Sequence, residues 1–288
     1  MKKKYFSSHL SFALGVPAII WQILFFYIPI LLIFLSSFVE CSAEGAFESL
    51  TLKKLSIFLS PIYLKVITRS CLLALTNSFL CLMIAYPLAY FISLRCYKYK
   101  NFLLFLLIIP FWTNFLLHIY AWSFVLEKQG FLNNLLQTLG LIAEPIHFLN
   151  SFFSITLMMV YCYLPFMMLP IFSSLEKLDR RLIEASLDLG AGWFYTFRRI
   201  LFPLTLSGIR SGFFLVYIPS FGEFAIPELM GGDKYMFVGS VVSHYVLGEQ
   251  TGALGAAFTV VSCLFLLISV IFLYLIINKI MKKMGQCV

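Results

Sequence analysis

Residues 184–203 read EASLDLGAGWFYTFRRILFP and follow EKLDRR at Glu176–Arg181. From Lys177 to Arg199 the stretch carries Lys177, Arg180, Arg181, Arg198 and Arg199 against Asp179, Glu184 and Asp188. It is the longest charged stretch between strongly apolar segments. Leu182, Ile183, Leu187 and Leu189 give one apolar face. Gly190, Ala191 and Gly192 then turn the chain, and Phe194, Phe197, Ile200 and Leu201 restart an apolar face before Pro203 ends the loop. Two short amphipathic helices around a glycine corner are expected. Such a face fits a groove on a partner protein. It equally fits a helix lying flat on lipid headgroups, with Arg198 and Arg199 reaching phosphates.

Outward from this loop the chain is mostly hydrocarbon. Of its 288 residues 61% are hydrophobic and 12% charged, against about 25% charged in soluble domains. Mean hydropathy is +0.94. That much apolar surface cannot be hidden in water, so the chain is a polytopic membrane protein. The net charge of +8 does not imply nucleic acid, because the basic residues flank apolar runs and orient them instead. Cys71, Cys81, Cys162 and Cys263 lie inside apolar runs, and Cys41, Cys96 and Cys287 fall in three separate polar segments. No spacing suggests a metal, and they read as small packing residues.

Six runs approach or exceed the ~20 residues a crossing helix needs: Phe12–Phe38, Val66–Leu94, Phe102–Leu126, Phe152–Leu175, Leu204–Met230 and Ala253–Asn278. The first follows Lys2, Lys3 and Lys4 but is longer than a signal-peptide core, so it is expected to stay in the protein. Pro17, Pro29, Pro87, Pro110, Pro165 and Pro219 interrupt the runs, which membrane helices tolerate. One side of the resulting topology holds fourteen basic residues: Lys2–Lys4, Arg95, Lys98, Lys100, Lys177, Arg180, Arg181, Arg198, Arg199, Lys279, Lys282 and Lys283. The other holds six: Lys53, Lys54, Lys65, Arg69, Lys128 and Lys234. The richer side is cytoplasmic, which places both termini and the Glu184 loop inside. The expected fold is an all-α membrane protein of six transmembrane helices. It forms one domain over 1–288, with a core of about 66–279 and a cytoplasmic loop at 176–203. The outer segments, Val39–Lys65, Glu127–Ser151 and Gly231–Gly252, are each long enough for a short helix, as GFLNNLLQTLG at Gly130–Gly140 suggests.

The spacing in the loop resembles the inner-membrane permeases of ABC importers, whose cytoplasmic EAA motif has the form E-A-A-x3-G-x9-I-x-L-P. Glu184, Ala185, Ser186, Gly190, Ile200, Phe202 and Pro203 occupy those positions. Ser186 departs from Ala and Phe202 from Leu. Cys71–Phe91, Leu103–Trp122, Tyr161–Asp179 and Gly222–Gly232 further resemble permease subunits of spermidine/putrescine importers, from about Leu14 to Lys279. The resemblance implies the type I ABC importer permease fold and a bacterial inner membrane. It implies coupling to ATPase subunits through Glu184, Ala185, Ser186, Gly190, Ile200 and Pro203. Its implied partners are a second, paralogous permease, two ATPase subunits that carry the ATP and Mg, and a periplasmic polyamine-binding protein. No cofactor is expected in this chain. The same family also serves other solutes such as sulfate, molybdate and ferric iron.

A polyamine path calls for aromatic faces, neutral acceptors and few carboxylates. Phe111, Trp112, Asn114, Tyr120 and Trp122 cluster in the third run, Tyr161 and Tyr163 lie in the fourth, and Tyr217 and Glu223 in the fifth. The aromatics also fit an interface belt or core packing. Glu223, in FGEFAIP, is a site candidate at membrane depth or part of an outer loop. Gly208, Gly212 and GALGAAF at Gly252–Phe258 allow close helix approach, within the chain or to the second permease. His9, His118, His147 and His244 are scattered and read as packing or surface. No GxxxxGK[ST] occurs, so the chain is not expected to hydrolyse ATP itself. No Ser/His/Asp or Cys/His set has motif context.

Overall fold

The computed structural model describes residues 15–41, 47–50, 52–248 and 252–285. Lys2–Lys4, His9, Glu44, Glu249 and Cys287 lie outside them. The described residues are overwhelmingly helical. Five helices among them are long and apolar enough to cross a membrane: α1 (Gly15–Ser36), α3 (Pro61–Arg95), α7 (Phe152–Glu176), α9 (Trp193–Phe221) and α11 (Gly252–Gly285). Between α1 and α3 come a small antiparallel pair, β1 (Val39–Cys41) with β2 (Phe47–Leu50), and the short α2 (Lys53–Ile57). The expectation for this outer segment held no strand.

The third run is not one straight helix. α4 (Lys100–Trp112) is bent by 91° from the stretch Phe115–Thr138 that follows. This stretch comprises α5 (Phe115–Leu126) and α6 (Phe131–Thr138). A sixth crossing exists only if this pair is one broken span. The cause is local. Pro110 opens a 3-10 turn at Ile109–Trp112, Thr113 and Asn114 are extended, and the Asn114 side chain caps α5 by accepting from Leu116 N at 2.9 Å. A proline followed four residues later by a strong N-cap residue stops one helix and starts another.

Other boundaries shift too. α3 begins at Pro61, so Lys65 and Arg69 sit on a helix rather than ahead of it. α9 ends at Phe221, where Gly222 N–H turns back to the Pro219 carbonyl at 3.2 Å. The rest of the fifth run forms a π-helical turn, Pro227–Gly231. α9 starts at Trp193 and runs through Pro203, which therefore does not end the loop. A π-turn at Phe197–Leu201, with Phe202 N–H on the Phe197 carbonyl, leads into that proline. The i→i+5 slip accommodates a ladder that lacks one donor.

The chain divides into two compact units, Met1–Leu64 with Val242–Leu264 and Lys65–Val241 with Phe265–Val288. In the first, Phe58 packs its ring 4.8 Å from Tyr63 and 5.2 Å from Phe258. The Tyr63 and Tyr245 hydroxyls lie 2.7 Å apart. The second is built around α7, which buries Met158, Met159, Met167, Met168, Ile171 and Leu175. Lipid tails are as apolar as these side chains, so close packing rather than escape from water holds such helices together. Gly208 and Gly212 show how. A Cβ on Gly208 would lie 2.5 Å from the Pro170 carbonyl, and one on Gly212 2.8 Å from that of Met167. This small-residue pair is spent on α7 within the chain.

Candidate functional site

The Glu184 loop folds as a capped corner. Asp179 accepts from Arg181 N at 3.0 Å and starts α8 (Arg180–Asp188). Gly190 ends it with φ +80°, a conformation that L side chains rarely adopt. Gly190 N–H reaches Leu187 O at 2.9 Å and Ala191 N–H reaches Ser186 O at 3.1 Å. This is the paired Schellman closure that needs a left-handed residue at that position. Gly192 then caps α9. Across the corner the Ser186 and Thr196 hydroxyls meet at 2.9 Å, both buried. The resemblance marks Ser186 as a departure from Ala, and here the extra hydroxyl ties the two helices together.

The apolar face of α8 is split. Ile183 packs inward on the core with Leu178 and Phe197. Leu182, Leu187 and Leu189 stay exposed, Leu189 at 88%. Leu182, Ala185, Ser186, Leu189, Tyr195 and Ile200 help line an open groove of about 730 Å³ around Gly190–Gly192. Glu184 is exposed, and Pro203 lies further along α9. Two ring contacts, Tyr90–Trp193 at 5.1 Å and Tyr86–Phe197 at 5.6 Å, fasten the corner to the end of α3. The corner is thus rigid on its inner side and apolar on its outer side, a shape that can transmit force from a docked partner.

A second constellation forms where α9 stops. Glu223 accepts from Tyr163 Oη on α7 at 2.7 Å through Oε2, and from the Ala225 and Ile226 amides at 3.0 and 3.5 Å through Oε1. It holds the start of the helical segment 225–231 and remains half-buried. α10 (Val238–Gly248) presses on it, since a Cβ on Gly239 would meet the Gly222 and Glu223 carbonyls at 2.5 and 2.6 Å. A carboxylate offers about four acceptor positions, so oxygen lone pairs remain for a cation.

The other expected path residues fall in three places. Phe111 stands at the α4–α5 bend, its ring 6.0 Å from Phe166, which is 6.2 Å from Tyr163. Trp112 is 75% exposed beside Phe105, Tyr120 is exposed on α5, and Asn114 is occupied as the α5 cap. Tyr161 on α7 contacts His118 on α5. Tyr217 is fully buried and donates to Ser269 on α11 at 3.0 Å, away from the carboxylate. Sequence reasoning read His118 as packing or surface and left Thr113 and the Tyr163–Glu223 pairing unassigned. The PxxTN pattern at Pro110–Asn114 is the one signal that could have shown a break there.

The sequence matches the binding-protein-dependent transport system inner membrane component family over residues 4–283. It is 36% identical over 264 residues to the spermidine/putrescine transport system permease protein PotB of Haemophilus influenzae, covering 91% of this chain and 92% of that one. To PotB of Escherichia coli it is 40% identical over 239 residues, covering 82% and 86%. A crystal structure of a bacterial alginate ABC transporter, in complex with a periplasmic protein that holds an alginate pentasaccharide, has a chain that superposes with a TM-score of 0.70. That chain shares 18% identity and covers 97% of this chain and 98% of its own length. The helical fold with five to six spans and a glycine-cornered loop is that of an ABC importer permease. The chain belongs to the binding-protein-dependent transport system inner membrane component family, and it is a multi-pass membrane protein.

Proposed function

We propose that this chain is one permease subunit of an ATP-driven importer of polyamines, spermidine and putrescine, in a bacterial inner membrane. It forms half of the translocation path with a second, paralogous permease. Two ATPase subunits, which carry ATP and Mg, dock on the loop 176–203 with Ala185, Ser186, Gly190 and Ile200 in the contact and Glu184 beside it. A periplasmic polyamine-binding protein delivers substrate to the outer segments. Both termini face the cytoplasm, as the distribution of Lys and Arg supports.

The observation that carries the substrate class is the identity to PotB over more than four fifths of each chain, joined to the half-buried Glu223 at the end of a broken run. A flexible polycation needs one anchoring charge and aromatic faces that hold it weakly enough to let go. Glu223 supplies the charge, and Phe111, Trp112, Tyr120 and Tyr161, on or packed against α4 and α5, supply rings. Tyr217 serves the packing of α9 on α11. Closure of the ATPase dimer pushes the rigid corner, α9 carries the movement, and the permease pair rocks between inward-open and outward-open states. Uptake of labelled spermidine by proteoliposomes that hold the whole transporter tests this. Unlabelled spermidine and putrescine should compete. Competition by sulfate or molybdate instead, with none by polyamines, would reassign the substrate.

A further inference from the structure

At the α4–α5 bend three donors converge on one carbonyl. Pro110 O accepts from Thr113 N at 3.2 Å, Thr113 Oγ1 at 2.7 Å and His118 Nε2 at 2.8 Å. A carbonyl brings no proton, so the last contact is attractive only when Nε2 carries one. Nδ1 of the same ring lies 3.1 Å from Tyr161 Oη. The Tyr161 hydroxyl pairs with Nδ1 whether that nitrogen is bare or protonated, since it can donate or accept. Thr113 Oγ1 contacts Nε2 as well. One imidazole therefore joins the end of α4, the first turn of α5 and α7. It borders a cavity of about 50 Å³ with Phe111, Phe115 and Tyr161, which is too small for a polyamine.

We propose that His118 is a positioning residue for substrate recognition. Donating through Nε2–H to Pro110 O and joined to Tyr161 through Nδ1, it latches the broken third span onto α7 and so sets where Phe111 and Trp112 stand relative to Glu223. The route is short: Phe111 faces Phe166, Phe166 faces Tyr163, and Tyr163 holds the carboxylate. His118 does not touch substrate. The remaining hydrogen bonds at the bend, from Thr113 to Pro110 and from Leu116 to Asn114, are local to the corner and fix its shape without tying it to α7. The recognition part of the proposal rests on the polyamine reading, whereas the Nε2–H bond to Pro110 does not.

Two measurements test it on the whole transporter in proteoliposomes. Nitrogen NMR of histidine-labelled protein, with His118 assigned by the signal that vanishes in His118→Gln, should show a protonated Nε2. In uptake assays with spermidine, His118→Gln keeps a donor near Nε2 for Pro110 but gives up Tyr161, His118→Asn keeps an acceptor near Nδ1 for Tyr161 but loses Pro110, and His118→Ala loses both. Joining the bend to α7 takes both bonds, so KM should rise about fivefold or more in all three. Maximal rate, membrane level and ATPase stimulation by the binding protein should be unchanged. A bare Nε2 overturns the latch. So does an unchanged KM in any of the three variants, or a loss that goes with less protein in the membrane. If the wild type imports no polyamine the substrate reading falls, and the NMR result alone decides the latch.

Discussion

The glycine corner at 184–203 and the constellation at Glu223 are built on opposite principles. In the corner the hydrogen bonds are local, although ring contacts also fasten it to α3. Asp179 caps two residues ahead, Gly190 and Ala191 close on Leu187 and Ser186, and Ser186 meets Thr196 ten residues on. At Glu223 one oxygen is held locally by the Ala225 and Ile226 amides, but the other is held by Tyr163, 60 residues upstream, and Gly239 presses in from α10. A coupling joint must keep its shape whatever the rest of the protein does, which local hydrogen bonds ensure. A recognition site that opens and closes is better assembled from elements that can separate. The comparison predicts that changes in the corner abolish coupling at constant affinity, and that changes near Glu223 alter affinity at constant coupling.

The largest effect is expected at Gly190. Val there must adopt φ +80°, a strain of about 1–3 kcal/mol for a β-branched residue. The corner should open, with ATP-driven uptake falling at least tenfold while the protein remains in the membrane, as immunoblots of membrane fractions would check. Next is Glu223→Gln, which keeps the shape and the Tyr163 contact but removes the charge. KM for spermidine should rise about tenfold, the effect of ~1.4 kcal/mol, with stimulated ATPase activity retained. Ser186→Ala loses one buried hydroxyl pair worth about 0.5–1.5 kcal/mol, so the uptake rate should fall a few-fold with KM unchanged. The smallest effect belongs to Lys100→Ala. Its ion pair with Glu176 is 2.5 Å long but its side chains are 21% and 44% exposed, and such pairs contribute at most ~1 kcal/mol. Uptake should stay within twofold.

These differences also explain what was legible in the amino-acid order. Apolar runs reveal membrane spans because lipid demands about 20 apolar residues in a row, and α1, α3, α7 and α11 fell close to the expected places. The corner was legible because glycine spacing and local helix periodicity determine it. The bend at Thr113–Asn114 was hidden inside a run whose composition satisfies a straight span. Only the competition between a proline-weakened ladder and the Asn114 cap decides it. The passage of α9 through Pro203 depended on a π-turn that no residue pattern announces. Tyr163–Glu223 and His118–Tyr161 are tertiary pairings, invisible until α7 is packed against its neighbours.

The most direct measurement compares Gly190→Val and Glu223→Gln in the same reconstituted transporter, reading spermidine KM and binding-protein-stimulated ATPase activity together. Two separate jobs predict that the first variant loses coupled uptake with little change in apparent affinity, and that the second raises KM while its stimulated ATPase persists. If both variants changed both quantities in the same proportion, the division between a coupling corner and a recognition site would be wrong.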